Sequence, residues 1–232
     1  MPYTLRPYNT GFRVYNKEGE ALSSYPMTKV MATRQLHALY AHVKDLRGGS
    51  SDTAKDKQED DEIREYPLSD ADIKAILPGL HIISYPELNE MSDIEEAFDD
   101  KGRCLILYLT ENESTGHWVC MLKNAKTIEY FDPYGKYRPD EEREWLSKDK
   151  LIQLDQYQPT LTELLRRSRY KVHVNPYHFQ KDKASIATCG RHCVCRLYHQ
   201  NMSLPSYNDM IKDSGMSPDD YVSAFTYRVL KH

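Results

Sequence analysis

Residues 104–109 read CLILYL, six consecutive apolar side chains. A run of that length suits a strand at the centre of a sheet, where both faces are covered. Two more β-rich runs follow, WVCML at 118–122 and TIEYF at 127–131, and the four residues Lys123 to Lys126 between them make a hairpin-length turn. Helix signals surround this group. Ser69-Asp70-Ala71-Asp72 and Ser92-Asp93-Ile94-Glu95 are starts of capping-box type, residues 141–148 and 160–169 read as helices, and residues 170–174 read as another strand. From Cys189 to about Asn201, Val194, Leu197 and Tyr198 share one face and no proline intervenes before Pro205. That spacing predicts a helix opening at or just after Cys189. The expected fold class is α+β, a central mixed sheet flanked by helices.

Charge divides the 232 residues into three regions. Residues 1–49 hold seven Lys/Arg against three Asp/Glu, residues 50–65 hold three against seven, and residues 66–232 carry the rest of a net charge of −4. The middle stretch, SSDTAKDKQEDDEIRE, has one aliphatic residue and no aromatic, so it cannot bury enough surface to offset its ordering entropy. It reads as a flexible linker entered through Gly48 and Gly49. The segment before it reads as a small basic module: a hairpin containing GFRVYN and a helix after Pro26. The overall negative charge argues against an obligate nucleic-acid coat. No apolar run approaches the length of a bilayer span, and MPYTLRPYNTG lacks the apolar core of a secretory signal, so an intracellular protein without membrane contact is expected. Five cysteines, three of them at 189, 193 and 195, favour reduced thiols over a disulfide framework.

A cysteine nucleophile needs a base, a group that orients the base, and donors for the developing oxyanion. Four stretches offer these at the ends of expected elements: Gly116-His117-Trp118, Phe131-Asp132-Pro133-Tyr134-Gly135, His178-Phe179-Gln180 and Thr188-Cys189-Gly190. Taken singly, each has an ordinary reading. His117 beside Trp118 can be a packed histidine, Asp132-Pro133 is common turn chemistry, and a lone buried cysteine is usually a small hydrophobe. Cys193 and Cys195 fall inside the helix, where N–H groups are already bonded, and are expected to pack. Cys189, His192, Cys193, Cys195 and His199 do not match a zinc-knuckle spacing, so no metal is expected. The basic run at 164–171 (LLRRSRYK) reads as a solvated helix face, with a nucleic-acid contact as the alternative.

In their order, GHWV, YFDPYGK, the Gln180 loop and Cys189-Gly190 resemble the adenovirus-protease-like and SUMO-protease-like cysteine peptidases, over roughly residues 100–205. The resemblance implies that fold, with the nucleophile at the N-terminus of a buried helix. It implies His117 as general base, Asp132 as its orienter, Cys189 as nucleophile, Gln180 as oxyanion donor with the Cys189 backbone N–H, and Trp118 as a substrate-binding residue, with no cofactor. Gln180 stands nine residues before Cys189, two or three more than the family pattern. The group includes maturation proteases of large DNA viruses that cut after Gly-Gly-like sites. The implied function is therefore a thiol endopeptidase, expected to be a monomer, acting on viral capsid or scaffold precursors in the reducing host-cell cytoplasm and the virion, with an activating peptide or DNA among its candidate partners. Leu46-Arg47-Gly48-Gly49 is then either a self-cleavage site after Gly49 or a plain hinge. Three rival functions fit the same residues: a protease for ubiquitin-like conjugates, an acyltransferase with a His–acid–Cys set, and a non-catalytic capsid-associated protein.

Overall fold

The computed structural model describes residues 3–8, 11–16, 19, 68, 70–111, 116–182 and 187–230. Chain contacts divide it into two compact units, Met1–Ile63 and Arg64–His232, a division that falls inside the acidic stretch of residues 50–65. In the first unit, β1 (Tyr3–Tyr8) pairs antiparallel with β2 (Gly11–Asn16), Leu5 opposite Val14 and Arg6 opposite Arg13. The helix expected after Pro26, the acidic linker, and Gly48 and Gly49 lie outside the described residues.

The second unit runs α1 (Asp70–Ile76), β3 (His81–Ser84), β4 (Arg103–Leu109), β5 (Gly116–Lys123), β6 (Thr127–Phe131), α2 (Lys148–Gln153), α3 (Thr160–Arg167), β7 (Lys171–Val174), α4 (Cys189–Tyr198), α5 (Leu204–Asp213) and α6 (Pro218–Leu230). Its sheet has the order β3-β4-β5-β6-β7. The inner pairs β4/β5 and β5/β6 are antiparallel and the outer pairs β3/β4 and β6/β7 are parallel, so the sheet is mixed.

The apolar run at 104–109 lies in β4, one strand in from the edge, and every residue of β4 is buried. Alternation sorts its side chains into two cores. Leu105, Leu107 and Leu109 join Trp118, Cys120, Leu122 and Phe131 under α4, while Ile106 and Tyr108 join Val119, Met121 and Tyr130 under Leu161, Leu164 and Leu165 of α3. Burying each such large side chain stabilises the fold by roughly 1.5–3 kcal/mol. The β5–β6 turn closes with the Asn124 N–H on the Thr127 carbonyl at 2.8 Å.

Two expected helices differ in form. The signal at 92–95 produces a 3₁₀ turn, Ile94–Ala97, whose N-cap is Asp93 and whose boxing carboxylate is Glu96. The chain turns extended at Phe98 to enter β4, so the turn cannot lengthen. Residues 141–148 split into a 3₁₀ turn, Glu141–Trp145, and the separate helix α2, because Leu146 is extended and Ser147 starts a new helix by accepting the Lys150 N–H. The helix expected from Cys189 to about Asn201 ends at Tyr198. There the Arg196 guanidinium, paired with Glu129 of β6 at 2.7 and 2.9 Å, also donates to the carbonyls of His199 and Met202.

Candidate active site

His117 is the second residue of β5 and Asp132 the first residue beyond β6. Cys120 pairs with Phe131 in this antiparallel hairpin, so the start of one strand adjoins the end of the next. His117 Nε2 and Asp132 Oδ1 are 2.7 Å apart, and both residues are buried. With Nε2 engaged, Nδ1 is the ring nitrogen left for the thiol. Cys189, the first residue of α4, hydrogen-bonds the imidazole, and the backbone N–H groups of Trp118 and Gly190 also point to its sulfur.

The electrostatics follow from these neighbours. Burial opposes a thiolate at Cys189, yet the imidazole hydrogen bond, its charge and the two N–H groups outweigh burial and lower the pKa below the usual thiol value. Burial likewise opposes an imidazolium at His117, and Asp132 and Cys189 together overcome it, raising the pKa well above the ordinary histidine range. Both shifts run in the direction that favours a thiolate–imidazolium pair. Three other thiols shift the opposite way: burial raises Cys104 and Cys193 well above the ordinary value and pushes Cys195 up to about 12. All five cysteines are free and buried.

Gln180 is buried, and its backbone N–H bonds the Pro133 carbonyl at 3.0 Å, as does that of Phe179. Its Nε2 donates to the Tyr134 hydroxyl at 3.3 Å. Tyr134, which the sequence places in the Asp132 motif without a role, joins the site directly. Its ring stacks on His117 at 5.0 Å between centroids, and burial, followed by the Cys189 charge, raises its pKa, so its hydroxyl stays protonated. Trp145 meets His117 edge-on at 5.2 Å and Tyr137 at 5.1 Å while remaining 41% exposed. The only sequence signal for these rings was their density after Asp132.

Trp118 is 8% exposed, and its indole packs over Gly190, where an added Cβ would lie 3.2 Å from Cδ1. Gly190 thus lets the indole close over the start of α4. Gly135, at φ 68°, turns the chain after Asp132, and a Cβ there would sit 1.9 Å from the Tyr177 carbonyl oxygen. The Asn175 side chain ties the same two segments by donating to the carbonyls of Asp132 at 2.8 Å and Tyr177 at 3.0 Å.

A second carboxyl lies near the His117–Asp132 pair. Glu142 is buried, accepts from the Tyr130 hydroxyl, and has its pKa pushed up to about 8, first by burial and further by the Asp132 charge, against the opposing effects of Tyr130 and His117.

Among the described residues no three His, Cys, Asp or Glu side chains converge as a metal site. His192 of the considered cluster instead pairs with Asp219 at 3.1 Å. In the basic run, Arg166 pairs with Glu163 within α3 at 2.7 Å, and Arg169, beyond the helix end, pairs with Glu95 at 3.4 Å. No helix among the described residues is long and apolar enough to cross a membrane.

No family model matches the chain. The chain is 32% identical over 165 residues to uncharacterized protein V9 of Sputnik virophage, an alignment that takes in 68% of this chain and 93% of that protein. A viral protein with a mixed five-stranded sheet between helices is thus placed by sequence as well as described by structure. At that identity and coverage, the chain belongs to the family of the virophage V9 protein.

Proposed function

We propose that this protein is a thiol endopeptidase. The observation that carries the reading is the buried imidazole of His117, held by Asp132 at 2.7 Å and hydrogen-bonded to a Cys189 thiol of lowered pKa. The resemblance of the same residues to adenovirus-protease-like peptidases supports it. For a chain with a virophage relative, the proposed substrates are viral capsid or scaffold precursors.

In the proposed reaction the Cys189 thiolate attacks the scissile carbonyl carbon, forming a C–S bond while the carbonyl electron pair moves to oxygen. N–H groups at the start of α4 and the Gln180 amide stabilise that oxyanion. Gln180 reaches it by exchanging its 3.3 Å bond to Tyr134. The oxyanion collapses, the C–N bond breaks, and His117 gives its proton to the departing amine. Water then attacks the thioester, giving its proton to His117; collapse releases the acid and restores thiolate and imidazolium. Asp132 holds the ring orientation throughout. The flanking Tyr134 and Trp145 rings limit water around the imidazolium.

Labelling with a Leu-Arg-Gly-Gly vinyl sulfone tests the reading. Wild type should gain one adduct on Cys189, and Cys189→Ala and His117→Ala should gain none. An adduct that persists in Cys189→Ala, or no adduct on folded wild type, would overturn it. Intact mass of wild type against Cys189→Ala tests self-cleavage after Gly49: only the active protein should lose its first 49 residues.

A further inference from the structure

Behind α4 lies a buried carboxylate that the reaction above does not use. Asp219, the second residue of α6, receives hydrogen bonds from three separate places. Thr188 Oγ1 donates to its Oδ1 at 2.6 Å, His192 Nε2 to the same oxygen at 3.1 Å, and the Lys181 backbone N–H to Oδ2 at 3.2 Å. Thr188 immediately precedes Cys189, and Lys181 immediately follows Gln180. One carboxylate therefore holds both residues that flank the groups meeting the oxyanion.

The local geometry has an electronic consequence. A threonine at a helix N-cap ordinarily turns its hydroxyl onto the N–H groups of the first turn. Thr188 makes no such bond; its hydroxyl is committed to Asp219. The first-turn N–H groups are thereby left to the site, and that of Gly190 already points to the Cys189 sulfur. Burial opposes the Asp219 charge, but His192, Thr188 and the Lys181 N–H hold its pKa below the usual carboxylate range, while burial lowers that of His192. The result is an anion beside a neutral imidazole that donates from Nε2.

We infer that Asp219 is a positioning residue for the oxyanion site: it keeps the Thr188 hydroxyl off the α4 terminus and fixes the Gln180 loop, a role that rests on the peptidase reading. Removing it should impair formation of the tetrahedral oxyanion while leaving the thiolate in place.

The experiment uses the full chain with Asp219→Asn and Thr188→Val, a Leu-Arg-Gly-Gly amide substrate, and iodoacetamide, whose reaction with Cys189 needs a thiolate but no oxyanion. Asn at 219 preserves shape but presents a donor to one of the three existing donors. It should lower kcat roughly 10- to 100-fold, the scale of losing one oxyanion donor or less, with KM and the alkylation rate each within about threefold. Thr188→Val, which has no hydroxyl to turn onto the terminus, should keep kcat within about threefold of wild type. An unchanged kcat in Asp219→Asn, a loss in Thr188→Val as large as that of Asp219→Asn, or alkylation that falls as far as kcat, would overturn the positioning role while a cleaving wild type keeps the peptidase reading. A folded wild type that neither cleaves nor alkylates at Cys189 would overturn both.

Discussion

Among the described residues, two buried His–Asp pairs look alike in isolation and have histidine pKa shifts in opposite directions. His117 and Asp132 are 2.7 Å apart, His192 and Asp219 3.1 Å. The first imidazole has the Cys189 sulfur as well as a carboxylate beside it, and its pKa rises despite burial. The second faces one carboxylate whose charge is already shared by a hydroxyl and an amide, and burial lowers its pKa. The two shifts differ in direction because Cys189 adds to the carboxylate at His117, while at His192 burial outweighs its aspartate.

The largest expected effect comes from breaking the first pair. Asp132→Asn preserves volume but lets the ring adopt the wrong tautomer, and kcat should fall by about 10²- to 10⁴-fold with the fold intact by circular dichroism. A loss below threefold would remove Asp132 from the machinery. The comparison is sharpened by Cys189→Ala. Deleting the Cys189 sulfur should move the His117 pKa down toward the ordinary imidazole value by at least about one unit, read by NMR of the ring protons. If it does not move, Asp132 alone sustains the raised value.

Glu142 supplies a stability test. Its folded pKa of about 8 lies above its ordinary 4.5. Between those values the folded state holds more protons than the unfolded one, so stability declines as pH rises, by at most about 1.4 kcal/mol per unit. Glu142→Gln should flatten that decline, visible as a smaller fall in Tm between pH 5 and 8, at roughly 2–4 °C per kcal/mol. Parallel curves for the two proteins would contradict it. The smallest effect concerns His192, whose lowered pKa has the reverse sign: stability is present above the ordinary imidazole value and is lost as pH falls below it. His192→Gln should lose less stability than wild type between pH 7 and 5, by roughly 1 kcal/mol in urea titrations; an equal loss would show that His192 does not titrate there.

The candidate nucleophile, base and orienter were legible because each sits in a short motif at an element end: His117 opening a strand, Asp132 closing one, Cys189 opening a helix. The central strands were legible from apolar runs. Tyr134, Trp145, Glu142 and Asp219 were not, because their roles come from tertiary neighbours distant in sequence; Asp219 is 31 residues from Thr188. The strand β3 escaped because HIIS is four residues long, and its parallel pairing with β4 leaves no turn signature. The split at Ser147 was missed because a helical charge pattern continues across an extended Leu146.

The same placement governs when the site can come into being. His117 and Asp132 are 15 residues apart on one hairpin and can meet through a local contact. Cys189 and Asp219 are made later, and Asp219 belongs to α6, the most C-terminal helix among the described residues. A chain leaving the ribosome thus presents His117 and Asp132 long before Cys189, and Cys189 before Asp219. On the proposed peptidase reading, synthesis order alone withholds a complete site from the growing polypeptide until α6 has been made.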